Sequence, residues 1–240
     1  MFEGMSAFPL TPFVARHVGT ALAGAAGLVL GVGLGAIGAV RRNRPVHSVG
    51  AVVPGALVIN TPGTTGSDLF DTAAHTPLIA RLSRSASWPV ALPDVIGLAL
   101  RIPGGGSSGR PADLLFSSTG TGRHTRYVLR FHTAATDGPL TTMFPLTGPA
   151  GNIVFRLDPE AGDCYRLSYS RNSGPWQGLG RVSLESPPEP PQRSSHPAGA
   201  DDPGLRFRPI AHPPIGLAMP TWQRAARAPA YSIARYVWHS

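Results

Sequence analysis

The chain has 240 residues, a formal net charge of +8 and no lysine, so every positive side chain apart from histidine is an arginine. Its length suits one sizeable domain that buries a hydrophobic core. The arginines do not form a dense block with interleaved aromatic residues, so we expect no nucleic-acid partner. The single cysteine, Cys164, excludes an intrachain disulfide and any metal site built from several cysteines.

The N-terminal part of the chain, residues 1–43, differs in composition from residues 44–240, which we predict to form the folded domain. No charged residue occurs from residue 17 to residue 40, and an arginine-rich segment follows. About 20 apolar residues suffice to span a bilayer, and arginines next to a span favour the cytoplasmic side. We predict an apolar helix here, with two alternatives. Either it anchors the protein to the inner face of the membrane, or it is a loosely packed terminal helix and the protein is cytoplasmic.

The central part of the chain alternates short β-branched and aromatic segments with turns rich in glycine and proline. The predicted strands are residues 45–60, 75–83, 94–102, 113–117, 126–131, 153–157, 165–169 and 178–184. Strands at such spacing favour an antiparallel sheet closed into a barrel over alternating strands and helices. Residues 186–204 are proline-rich and predict an exposed loop within the domain. Extended structure resumes at residues 205–214, and residues 221–238 predict a C-terminal helix, giving a mostly β protein of the α+β class.

A histidine lies at the start of the first predicted strand, in the sequence Arg44-Pro45-Val46-His47-Ser48-Val49-Gly50. An arginine precedes it, and two valines are available to exclude water from its ring. This setting suits an acid/base group in a pocket. The alternative is a solvated histidine at a strand entry, which has no chemical role.

A second candidate lies near the C-terminus, where Arg227 and Tyr231 are four residues apart. One helical turn brings both side chains to the same face. A guanidinium favours the charged form of a neighbouring phenol, and a phenolate is a good iron ligand. A surface pair of no chemical consequence is the alternative, and Tyr236 is a competing ligand.

Several segments, taken in order, resemble haem catalases. The Arg-x-x-His-x-x-Gly run of residues 44–50 is followed by a Thr-Pro-x-x-x-Arg-x-Ser run at residues 76–83. An Asp-x-x-Gly-x-Ala run at residues 94–99 and an Asp-Leu-Leu run at residues 113–115 come next. A Phe-x-Pro-x-x-x-Pro-Pro run at residues 207–214 then precedes Arg227 and Tyr231. The resemblance implies a catalase-type barrel that binds haem b, with the C-terminal helix carrying the iron ligand.

The resemblance also implies roles for individual residues. His47 would be the distal acid/base, Ser83 and Ser117 distal polar groups, and Tyr231 the axial ligand of the haem iron. Ser117 stands where the family has an asparagine. The remaining cofactor contacts would be Arg44, Val46, Arg81, Arg227 and Arg235, with arginines 44 and 81 on the propionates and Arg227 supporting the phenolate.

From this resemblance we predict a haem-dependent oxidoreductase that reacts with hydrogen peroxide or organic hydroperoxides, as a peroxidase or a weak catalase, with a separate electron donor. A fatty-acid hydroperoxide isomerase or peroxygenase with the same ligands is one alternative. A membrane-tethered β-barrel binding module without enzymatic activity is another. The wrapping arms that lock catalase tetramers are not recognised in this sequence, so we expect a monomer or a homodimer.

Overall fold

A computed structural model of the chain describes residues 50–85, 91–185 and 205–221. These residues form nine strands, whose bounds are β1 (Gly50–Ile59), β2 (Ala74–Arg84), β3 (Ile96–Ile102), β4 (Ala112–Ser118), β5 (Leu140–Thr141), β6 (Leu146–Gly148), β7 (Gly151–Pro159), β8 (Cys164–Arg171) and β9 (Trp176–Leu184). One short helix, α1 (Asp68–Asp71), and the 3-10 turns Ser107–Gly109 and Thr125–Tyr127 lie between them.

The strands form one antiparallel sheet in the order β5-β4-β3-β2-β1-β9-β8-β7-β6. Strand β5 also pairs with β7, with Leu140 opposite Leu157 and Thr141 opposite Arg156. This second pairing closes eight strands into a barrel, and β6 extends from β7 as a ninth strand. The prediction of a closed, mostly β antiparallel barrel is therefore confirmed.

The core fills the interior of the barrel because side chains alternate between the two faces of each strand. In β2, Leu78, Ala80 and Leu82 point inward and are almost completely buried. The interior residues of the other strands are also large and apolar, and include Leu57, Ile59, Ile96, Leu98, Leu100, Leu114, Phe116, Ile153, Phe155, Leu157, Tyr165, Leu167, Tyr169 and Val182. The residues between them therefore face the outside of the barrel.

The contact between the first and last strands depends on a glycine. Gly180 of β9 lies opposite Ile59 of β1. A Cβ atom at Gly180 would overlap the carbonyl oxygen of Val58. Any other residue would therefore push β1 and β9 apart, and the barrel closes tightly here because position 180 has no side chain.

The prediction of a strand at residues 126–131 is wrong. The segment begins within the turn Thr125–Tyr127, and outside the turn its one ladder contact is an isolated bridge from Leu129 to Thr119. Its apolar side chains are exposed instead of entering the core. The short strands β5 and β6 were not predicted. Residues 205–214 form no strand. They reach the sheet through hydrogen bonds of Arg208 and His212 with Asp113 of β4, and Pro214 makes an isolated bridge to Gly106 in the loop between β3 and β4.

Three predicted segments lie outside the described residues: the apolar helix at 17–40, the proline-rich loop at 186–204 and, apart from residue 221, the C-terminal helix at 221–238. In the part of the chain that the structure describes, no helix is both long and apolar enough to cross a membrane. The division of the chain at residue 43 stays a prediction.

Candidate functional site

The outer surface of strands β1–β4 brings predicted site residues together. Gly50 lies opposite Ser83, Ser83 opposite Gly97, and Gly97 opposite Ser117. These four positions form one row across the sheet, and their side chains face outward because Leu82, Leu98 and Phe116 face the core. We call it the serine–glycine row. Adjacent strands are about 4.8 Å apart, so the two serines are separated by about 10 Å.

A buried cation lies beside this row. Arg81 belongs to the next outward-facing row, opposite Val52 and Ala99, and is only 5% exposed. Its guanidinium extends back over Gly50, where a Cβ atom would lie 2.6 Å from the Cζ atom of Arg81. The Ser83 hydroxyl donates a hydrogen bond of 3.3 Å to the carbonyl oxygen of Gly97. The surface therefore combines positive charge, hydroxyl groups and a floor without bulky side chains.

One row further along, a buried carboxylate connects the sheet to the C-terminal segment. The Arg101 guanidinium donates two hydrogen bonds, of 2.8 and 2.7 Å, to the carboxylate of Asp113. The backbone N–H of Arg208 donates a third, of 2.6 Å, and Nδ1 of His212 lies 3.4 Å from the same carboxylate. The hydrogen bond with Asp113 raises the pKa of Arg101.

Other contacts of the C-terminal segment follow the same surface. The ring of Phe207 lies under the guanidinium of Arg101, 5.0 Å from its Cζ atom. Pro209 and Met219 line a small cleft together with Leu115, which occupies the same row as Arg81. Pro209 and Met219 therefore lie one row from the serine–glycine row, and Phe207, Arg208 and His212 lie two rows from it.

The chain matches solved structures of catalases in its fold. A bacterial catalase and a fungal catalase each superpose with a TM-score of 0.56 at 12% sequence identity, covering 80% and 78% of this chain and 56% and 57% of theirs. Catalase A from Saccharomyces cerevisiae gives a TM-score of 0.56 at 9% identity, covering 80% of this chain and 60% of its own. The fold is catalase-like. The chain spans less than two thirds of the length of these catalases. No protein-family model and no curated protein sequence matches it.

Within this catalase-like barrel, Arg81, Ser83 and Ser117 share one outer surface. The other predicted site residues lie outside the described residues and stay predictions, namely Arg44, Val46, His47, Arg227, Tyr231 and Arg235. In the sequence, His47 precedes Gly50, the first residue of the serine–glycine row, by three residues.

The described tyrosines do not suit the role of iron ligand. Tyr165 and Tyr169 are buried within the barrel, and Tyr127 shares a surface hydrogen bond with Ser173. Burial raises the pKa of Tyr165 to about 12, which disfavours the phenolate that iron requires. No group of three or more His, Cys, Asp or Glu residues suited to a metal ion occurs among residues 50–85, 91–185 and 205–221. Of the five tyrosines in the sequence, Tyr231 and Tyr236 remain as ligand candidates.

The serine–glycine row and Arg81 nevertheless fit the distal side of a haem. A haem is flat, and Gly97, which has no side chain, lets a flat group approach the backbone between the two serines. Its propionates are carboxylates, and Arg81 offers a guanidinium beside the row. Gly97 belongs to the motif at residues 94–99 but was not among the predicted site residues, although a lone glycine inside a strand often marks a close approach by another group.

Proposed function

We propose that this protein binds haem b against the outer surface of strands β1–β4 and reacts there with hydrogen peroxide or organic hydroperoxides. The observation that carries the proposal is the serine–glycine row, which places both predicted distal serines on one surface beside the buried guanidinium of Arg81. The catalase-like fold supports it, because the two sequence motifs that supply these residues resemble motifs of haem catalases.

Each residue of this chain would have a defined task. Arg81 holds a propionate through charge-assisted hydrogen bonds. Arg44 holds the other, and Val46 shields the distal side from water. The imidazole of His47 accepts a proton from one oxygen of the peroxide and returns it to the other. The hydroxyls of Ser83 and Ser117 orient the peroxide by hydrogen bonding.

The iron ligand would come from the C-terminal segment. Phe207 and Arg208 of this segment contact Arg101 and Asp113 on the outer surface of β3 and β4, and Tyr231, further along the sequence, would hold the iron. Arg227 would favour the phenolate form of Tyr231 by its charge, and Arg235 would add a contact to a propionate. Bound haem supplies the redox chemistry of peroxide reduction, and a separate reducing substrate provides the electrons.

The proposal is tested by expressing the full chain with added haem precursor and recording the absorption spectrum. We expect a ferric spectrum typical of tyrosinate ligation in the purified protein. Tyr231→Phe should remove this signature, because phenylalanine offers iron no oxygen. Tyr236→Phe is the matched control and should leave the spectrum unchanged. A folded protein that carries no haem absorbance after it is mixed with haem and separated from the unbound haem would contradict the proposal. This result would favour a binding module without enzymatic activity.

The serine at position 117 predicts weak dismutation of hydrogen peroxide. A hydroxyl holds peroxide less firmly than an amide, so Ser117→Asn should raise the rate of oxygen evolution, by about fivefold if one hydrogen bond is gained. An oxygen electrode measures this rate with haem-loaded protein. Ser183→Asn, on the outer surface of β9, is the control and should have no effect. Equal rates for all three proteins would show that position 117 does not contact the peroxide.

A fatty-acid hydroperoxide isomerase or peroxygenase is the second candidate function. It is favoured by the exposed apolar segment of residues 127–131, which lies close to Ser118. The backbone N–H of Arg130 in this segment donates a hydrogen bond of 2.8 Å to the Ser118 carbonyl oxygen. Phe131 in this segment is 63% exposed. Product analysis with a lipid hydroperoxide distinguishes rearranged or oxygen-transferred products from simple reduction to the alcohol.

A further inference from the structure

A cluster of large apolar side chains is exposed at one end of the barrel. Tyr127, Val128, Leu129 and Phe131 are 38%, 58%, 45% and 63% exposed, and we call them the apolar patch. Monomeric soluble proteins seldom expose several large apolar side chains side by side without a functional reason. The core does not need these residues, because the barrel interior is filled by the strands. The apolar patch therefore requires a partner.

The apolar patch is held firmly in place by the arginine that precedes it. Arg126 is 3% exposed, and its guanidinium donates hydrogen bonds to the Ser170 hydroxyl at 2.5 Å and to the Gly122 carbonyl at 3.2 Å. The same guanidinium stacks on the ring of Trp176 at 4.3 Å. At the other end, Arg130 is bonded to the strand β4 terminus through Ser118. The exposed side chains are thus displayed by an anchored segment.

The surroundings of the apolar patch are positively charged. Arg123, His124 and Arg130 are exposed within or beside it. The sequence contains no aspartate or glutamate between Asp113 and Asp137. Asp137 is the acidic residue that follows this segment most closely in the sequence, and its carboxylate accepts hydrogen bonds from Thr133 and Ala134. The hairpin that contacts the apolar patch, through the Tyr127–Ser173 hydrogen bond of 2.7 Å, also lacks acidic residues. Apolar side chains with a cationic rim complement the apolar interior and anionic headgroups of a bilayer.

We propose that the apolar patch docks onto the surface of an anionic membrane. The aromatic and aliphatic side chains enter the boundary between headgroups and acyl chains, while Arg123 and Arg130 contact lipid phosphates. A second copy of this chain is a less suitable partner for the apolar patch, because it would place like charges opposite one another. The uncharged segment of residues 17–40 is also a less suitable partner, because it has no negative charge to pair with Arg130. This inference does not depend on bound haem.

A fluorescent probe tests the docking directly on the full chain. An environment-sensitive dye is attached at Leu129→Cys in a Cys164→Ser background, and the protein is mixed with phosphatidylcholine vesicles with and without phosphatidylserine. We expect a blue shift and stronger emission with the anionic vesicles only. The control dye at Ile215→Cys, 36% exposed elsewhere on the barrel, should not respond. If the protein binds the vesicles but the dye at position 129 keeps the emission it has in water, the proposal is overturned. Binding of the vesicles would then be due to another segment, such as residues 17–40.

Substitutions separate the apolar and the electrostatic contributions to vesicle binding, and the dye is at position 129 in every variant. Phe131→Asp should require about tenfold more lipid for half of the response, and Arg130→Glu about fivefold more. The matched controls are Ile215→Asp and Arg166→Glu, which alter an apolar and a charged side chain away from the apolar patch. Equal effects of test and control variants contradict docking through the apolar patch. A blue shift without vesicles, with a doubled molecular mass, would instead show self-association and also overturn it.

Discussion

Asp113→Asn should lower the free energy of unfolding by about 2 to 3 kcal/mol, because it removes the negative charge that three groups share. The carboxylate is fully buried, and it accepts two hydrogen bonds from Arg101 and one from the backbone N–H of Arg208. An amide at this position offers one acceptor oxygen and turns an N–H group toward the guanidinium. Arg101 would keep its charge with no partner of opposite sign, in a side chain that is only 17% exposed.

Thermal or denaturant unfolding measures this loss, and limited trypsin digestion locates it. Without the carboxylate, the Arg208 N–H loses its acceptor, and residues 205–212 stay joined to β4 by the backbone hydrogen bond from residue 113 to the His212 carbonyl oxygen. Cleavage after Arg206 should therefore accelerate. Glu160→Gln is the control, because Glu160 pairs with Arg181 at 2.8 Å on the surface, where such a pair contributes about 1 kcal/mol or less. If both variants unfold alike, the buried carboxylate does not hold the C-terminal segment.

The barrel could be predicted from the sequence where the strands are long. In β3, apolar residues alternate with small or polar ones over all seven positions, and this period is typical of a half-buried strand. Strand β5 has two residues and β6 has three, which is too short for any period to be visible. Residues 126–131 have a composition typical of a strand, but Arg126 binds Ser170 and Trp176 and holds the segment at the end of the barrel.

The candidate site was predictable only in part. The catalase motifs identified Ser83 and Ser117, but their meeting on one row depends on the pairing of β2 with β3 and of β3 with β4. A shift of one residue in either pairing would turn a serine into the core. The contact between Asp113 and Arg208 joins residues 95 apart in the sequence, and nothing local indicates it. Tertiary packing therefore decided which motif residues lie together.

Gly97→Leu should abolish haem binding while the barrel still folds. Gly97 lies between Ser83 and Ser117 in the serine–glycine row, and a leucine side chain there would project outward over the surface proposed for the cofactor. Overpacking at this buried position should cost about 1 to 3 kcal/mol, which lowers the midpoint of thermal unfolding without preventing folding. Haem absorbance and circular dichroism, measured on the same purified sample, separate loss of the cofactor from loss of the fold.

Gly178→Leu is the matched control on the opposite half of the barrel. Gly178 is an exposed glycine of β9, and a Cβ atom there would have no neighbour within 4 Å. The same substitution therefore adds the same side chain to a strand without covering the serine–glycine row, and haem binding should be retained. If Gly97→Leu also kept its full haem spectrum, the cofactor would have to lie elsewhere, because a flat macrocycle and a leucine cannot occupy the same surface of β3.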